Sequence, residues 1–90
     1  MKSIEVTYDA ETWGGGAWET GEAAIKLEFL DDDTVNDLVR FQHAKPTEMD
    51  PITYMKWEKL EQSIRAIEFL RRRCYIEHSI KSIKIVGGDN

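Results

Sequence analysis

Cys74 and His78 have the residue types of a nucleophile and its base, four positions apart. On a helix they would share a face, where a histidine can draw the proton from a thiol. The pair lacks the surrounding motif of a cysteine hydrolase, and a lone cysteine on an apolar stripe reads as core. As zinc ligands two residues are too few, and the other histidine, His43, lies far away in sequence. Asp31, Asp32 and Asp33 could hold Mg²⁺ or Ca²⁺, but the alternating spacing, turn glycine and distal glutamate of a calcium loop are missing. Three carboxylates ahead of a helix start are explained by capping and the helix dipole. Gly14-Gly15-Gly16 lacks the Lys-Ser/Thr of a phosphate loop and the strand–helix context of a dinucleotide fingerprint, and reads as a turn. There is no Ser/His/Asp arrangement and no metalloprotease motif. The expectation is a protein that is not an enzyme, with no cofactor and no metal.

Two groups suggest contact surfaces rather than catalysis. Arg71-Arg72-Arg73, with Lys81 and Lys84, is the basic cluster, and phosphate binding needs such charge on one face. Three consecutive helical residues point roughly 100° apart, so they do not make one flat patch. Trp13 and Trp18 flank the glycine turn among Asp9, Glu11, Glu19 and Glu22. Exposed tryptophans are enriched among interface hot spots. The alternative is a loop that folds back, its rings capping a small core against Trp57 or Phe41.

The elements that position these residues follow from periodicity. Ser3 to Tyr8 alternates polar and apolar, as does Ala23 to Leu30, with Ala23, Ile25, Leu27 and Phe29 on one face. A loop over Gly14–Ala17 sets Ile4 against Leu27, Val6 against Ile25, Tyr8 against Ala23 and Trp13 beside Trp18. The apolar faces match in that register. The competing arrangement is a flexible loop from Asp9 to Glu22. Thr34 with Asp37 resembles a capping box, opening a helix with Val35, Leu38 and Val39 on its apolar side. His43 to Met49 connects it to the next helix. Asp50 as cap and Pro51 at the first position start a long amphipathic helix, with no further Gly or Pro before Gly87. It runs to about Glu77. Trp57, Leu60, Ile64, Ile67 and Cys74 fall on one arc, with Leu70 at its edge. Glu58, Glu61, Gln62, Arg65, Glu68, Arg72 and Arg73 fall opposite, with Glu61–Arg65 and Glu68–Arg72 as i,i+4 pairs on a solvated face. Arg71 lies inside the apolar arc, positioned to reach out of it or to pair with a carboxylate of the acidic half. Phe69 lies in the charged arc. Ile80 to Val86 forms a third strand, with Ile83 and Ile85 on one face, and 87–90 a frayed tail.

The expected fold is therefore α+β: one domain over 1–90, a three-stranded antiparallel sheet with two helices on one face, in the order β-β-α-α-β. Ninety residues, 41% hydrophobic and 32% charged, are ordinary for a small globular domain. One cysteine excludes an internal disulfide and fits a reducing, cytoplasmic compartment. No apolar run reaches the length of a membrane span, and the N-terminus has no hydrophobic signal region. The net charge of -5 hides a split. Residues 1–50 hold 12 acidic and 4 basic residues, a net of -8; residues 51–90 hold 5 and 8, a net of +3. Such asymmetry can mark a charged binding face.

No family resemblance attaches to these residues. The general look is that of a small acidic protein from a phage or other mobile element. The functional expectation is a protein-binding module, an inhibitor of a basic, nucleic-acid-handling complex. Its partner-binding residues are Trp13, Trp18, Glu11, Glu19, Asp31, Asp32, Asp33 and Phe69. Direct nucleic-acid binding through Arg71–Arg73, Lys81 and Lys84 is the alternative, with a small ligand-binding protein or enzyme beside it. Edge strands and tryptophans could also pair two copies.

Overall fold

A computed structural model describes residues 1–88, apart from the side chains of Phe29 and Pro46. The order is β1 (Lys2–Gly14), β2 (Ala17–Leu30), α1 (Asp32–Arg40), α2 (Pro51–Leu70), β3 (Cys74–Tyr75) and β4 (Ser82–Gly88), with a 3-10 turn at Pro46–Glu48. The fold is α+β, as expected. β1 is the central strand: β2 pairs with one side of it, and β3 and β4 share the other, all antiparallel.

The hairpin takes the register that the apolar pattern requires, Ile4 to Leu27, Val6 to Ile25, Tyr8 to Ala23 and Trp13 to Trp18. Its loop is tighter than expected, since Gly14 pairs with Ala17 and leaves only Gly15 and Gly16 to turn. Both have positive φ, 59° and 83°. Two left-handed residues give the turn whose twist matches that of the strands, and glycine adopts it without a Cβ clash. Near its open end the register slips between Ile4–Leu27 and Lys2–Leu30. There β2 holds an extra residue, a bulge. The inward side expected for Phe29 lies outside the described residues.

One face of the sheet is buried. Ile4, Val6, Tyr8 and Ala10 of β1 meet Ala23, Ile25 and Ile83, and above them Val35, Leu38, Trp57, Leu60 and Ile64 of the helices. Helix α1 starts two residues before the expected Thr34. Asp31 is its cap, accepting from Thr34 N–H at 3.0 Å and from Thr34 Oγ1 at 2.7 Å. Asp37 instead pairs with Lys56 at 2.6 Å, which ties α1 to α2. The cap of α2 is Asp50, accepting from Thr53 N–H at 2.7 Å, with Pro51 first in the helix.

The end of α2 differs from expectation. The helix stops at Leu70, not near Glu77, and Cys74 belongs to a strand. Arg72 N–H donates to Phe69 C=O at 3.0 Å and Arg73 N–H to Glu68 C=O at 2.8 Å, with Arg72 left-handed at φ 61°. This is the Schellman stop, usually made by glycine. Arginine conceals it from a sequence reading. Arg72→Gly is expected to raise stability by about 0.5–1 kcal/mol, because it relieves the left-handed strain of an L-residue. Urea denaturation checks this, and a fall would show that the Arg72 side chain holds something the backbone does not.

The third strand position is broken in the middle. Ile76 N–H donates to Asp9 C=O at 3.1 Å and Lys81 N–H to Thr7 C=O at 2.7 Å, but the chain between them leaves the ladder. Ser79 fills the gap with its hydroxyl, which accepts from Asp9 N–H at 3.1 Å. Both sheet edges are covered in part by side chains. Arg71 Nη1 donates to Ala24 C=O on β2 at 3.2 Å, and Ile83 N–H on β4 donates to Gln42 Oε1 at 2.9 Å. Such cover blocks pairing with another chain there. Of the tail expected over 87–90, Gly87 and Gly88 instead complete β4, while Asp89 and Asn90 lie outside the described residues. Ile85 faces the core side across from Ile4 but stays half exposed.

Candidate functional site

The hairpin outruns the body of the protein. β3 reaches only to Ala10 and Glu11 of β1, so beyond them the sheet is a two-stranded ribbon. Residues 12–22 are all exposed. Trp13 and Trp18 sit across from each other next to the turn, 58% and 53% exposed. Their rings meet edge to face, 5.4 Å between centroids. That geometry satisfies each ring's quadrupole and holds the pair in place without a core. The expected alternative, in which the loop folds back on Trp57 or Phe41, is overturned. Trp57 is buried in the core, and the tip rings pack on one another.

Strand alternation puts the tryptophans on the sheet face that carries no helix, together with Glu11. Glu19, opposite Thr12, points to the other face. From Ser3 to Ile25 the chain has no lysine or arginine. At the root of the ribbon Lys81 lies 3.0 Å from Asp9 and 3.2 Å from Glu22 and neutralises part of that charge. Among the described residues no such partner reaches Glu11 or Glu19. The tip is thus an aromatic pair with an uncompensated acidic rim.

The other expected contact residues are not gathered there. Asp31, Asp32 and Asp33 lie past the far end of β2, about 40 Å from Trp18 at the usual strand rise. Asp31 is occupied as a cap. The Thr34 hydroxyl and then its N–H hold its carboxyl below the usual carboxylate range. Asp32 lies 3.5 Å from the Met1 amine. Phe69 is 80% exposed at the end of α2, and Leu70, expected at the edge of the buried arc, is 81% exposed. The Arg71–Ala24 hydrogen bond places this end of the helix beside β2, near the root of the ribbon.

The basic cluster is largely spent within the fold. Arg71 does not pair with the acidic half: its Nη1 lies 3.2 Å from Glu68 Oε1. Arg73 brackets the same carboxylate, Nη2 to Oε1 at 2.9 Å and Nε to Oε2 at 2.6 Å, the second as an ion pair bent away from hydrogen-bond geometry. Lys81 is held by Asp9 and Glu22, and Lys84 faces Glu5 across the β4–β1 ladder.

Glu61 and Glu68, read from sequence as solvated, are 3% and 0% exposed. Their expected partners Arg65 and Arg72 are not the ones they find. Tyr8 donates its hydroxyl to Glu68 Oε1. Tyr75 donates to Glu61 Oε2 at 2.7 Å, and the His78 N–H to the same oxygen at 3.1 Å. The two tyrosine rings meet edge to face at 5.5 Å, which joins the carboxylates into one buried polar seam. Burial first, then the hydrogen bond to a carboxylate, pushes both phenols well above their ordinary range. Burial alone would raise Glu68, but Tyr8, Arg73 and Arg71 together hold it below the usual value.

Cys74 and His78 share no helix face. Cys74 is exposed in β3, not core, and His78 occupies a left-handed turn at φ 59°. The structure does bring the two histidines together, since His43 and His78 line one shallow groove with Trp57 and Ile80. Among the described residues no helix is long and apolar enough to cross a membrane. No family model, curated protein or solved structure matches the chain.

Proposed function

We propose that this chain is a small protein-binding module whose contact surface is the hairpin ribbon. The observation that carries the reading is the exposed Trp13–Trp18 pair, set on a ribbon that, among the described residues, no other element covers. Aromatic anchors of this kind supply most of an interface's binding energy, while rim charges such as Glu11 and Glu19 select and steer the partner. The partner is a protein with a basic surface. We place it in a nucleic-acid-handling complex, which the acidic strands would inhibit by competing with phosphate, and we take the chain to act in the cytoplasm as a phage or mobile-element inhibitor. The far position of Asp31–Asp33 makes them a secondary contact that only an extended partner would reach.

The test is a pull-down from a bacterial lysate, with and without nuclease, using wild type beside Trp13→Ala/Trp18→Ala. A protein that survives nuclease, elutes as salt rises and is absent from the variant supports the reading. Capture of nucleic acid, or of proteins only when nuclease is omitted, would replace it with direct binding through the basic residues.

A further inference from the structure

We propose that Glu61, Glu77 and His78 form a binding site for a divalent transition cation, zinc in the first instance. One donor atom from each of the three lies within 4.8 Å of the others. Glu61 Oε1 and His78 Nδ1 stand 3.6 Å apart. That is too long for a hydrogen bond. It is close to the edge of a tetrahedron with zinc bonds of about 2.0–2.1 Å, which is about 3.4 Å.

Each ligand is held by something other than the ion. Glu61 is buried, and its Oε2 already accepts from the Tyr75 hydroxyl and the His78 N–H. Oε1 is therefore the oxygen left toward the imidazole. Among the described residues no lysine or arginine forms an ion pair with Glu61; the group beside its Oε1 is the His78 imidazole, 3.6 Å away. Glu77 is gripped by Arg65, Nε to Oε1 at 2.5 Å and Nη2 to Oε2 at 3.0 Å. Each of its oxygens keeps a second lone pair, and outer partners of this kind orient metal ligands. With a neutral imidazole the two carboxylates and Arg65 sum to one negative charge, so a divalent cation is attracted. His78 is the non-glycine residue that the backbone strains to place here, at φ 59°. Arg72 takes the same conformation to stop α2, whereas at His78 it sets the imidazole beside Glu61. The break in the third strand is what carries Glu77 and His78 over Glu61. One imidazole with carboxylates suits zinc and its neighbours, whereas magnesium and calcium prefer oxygen alone. His78 also lines a groove with His43 and Trp57, but His43 is not among the three clustered donors.

Calorimetry with Zn²⁺, and visible absorption with Co²⁺ as its spectroscopic stand-in, test this on the full chain. His78→Gly is the decisive variant, because glycine suits the left-handed backbone and the fold keeps its stability while the imidazole is lost. Wild type should bind one Zn²⁺ saturably below about 100 µM, and His78→Gly should weaken it at least about 30-fold. Cys74→Ser and His43→Ala should bind as wild type does. Absence of saturable binding, equal binding by His78→Gly, loss on either control, or tighter binding of Ca²⁺ than of Zn²⁺ would each overturn the site.

Discussion

Glu68→Ala is expected to lower the stability of this domain by about 3 kcal/mol, toward the low end of what breaking a buried ion pair costs. The carboxylate is wholly buried and takes the Tyr8 hydroxyl and two guanidiniums. Without it the phenol loses its acceptor and the arginines face each other across a small cavity. The loss falls toward the low end because Arg71 and Arg73 stay 44% and 28% exposed and can turn to water. A domain of this size has only about 5–10 kcal/mol to lose. Urea denaturation followed by tryptophan fluorescence measures it, and an unchanged midpoint would show that the cluster is held by packing alone. The same carboxylate is expected to make stability fall in acid. Its folded value lies below the ordinary 4.5, so it binds protons less readily folded than unfolded. The stability it contributes is complete above about pH 4.5 and is lost as pH falls through the folded value. In Glu68→Gln that part of the acid slope should vanish, while the rest of the profile remains.

Trp13→Ala/Trp18→Ala is expected to cost at least about 100-fold in affinity for the partner while leaving the domain folded. Each ring, as a hot spot, carries about 2 kcal/mol or more, and about 1.4 kcal/mol is tenfold. The rings pack on each other, so their losses do not simply add. Against this, a cross-strand aromatic pair contributes about 0.5–1.5 kcal/mol to the hairpin. The pair lies outside the core, so unfolding of the body should shift by no more than that. Titration of the isolated partner, beside a urea curve of the same variant, separates the two effects. A variant that unfolds early, or that binds as wild type does, would remove the ribbon as the contact surface.

The features that could be read from sequence are those whose physics is local. Alternating apolar residues on both sides of Trp-Gly-Gly-Gly-Ala-Trp specify the hairpin register, because any slip of one residue would turn Ile4, Val6 and Tyr8 to water. Asp50-Pro51 likewise announces the start of α2. Its end was hidden because arginine takes the left-handed position where glycine is the usual signal. The error then spread. Counting Leu70 and Cys74 in the helix pulled the apolar arc toward them, although neither packs there. Down the true helix Glu68 lies about 20° from Trp57, inside the buried stripe, and Glu61 about 40° from it, at the stripe's edge. Their burial rests on Tyr75 and Tyr8, which come from strands. At the front of α1 the Thr34–Asp37 box expected from sequence does not form: Asp31 is the cap, Thr34 lies inside the helix and donates to it, and Asp37 turns to Lys56. The exposure of the tip tryptophans could not be read, since it depends on where β3 ends. Nor could the meeting of Glu61, Glu77 and His78, which depends on the interruption between β3 and β4.

The central place of β1 sets the order in which the sheet can assemble. Its pairing with β2 closes a turn of two residues and needs nothing distant, so it can form within microseconds. Its pairing with β4 joins Lys2 to Gly88, nearly the whole described chain apart. Loop-closure entropy must be met there before any contact rewards it. Ile83 brings the last strand's side chain to the core, so the interior stays open to water on that side until then. During synthesis the ribbon with its two tryptophans is therefore presented long before the body that carries it is closed, and the rate of folding is governed by the far end of the chain.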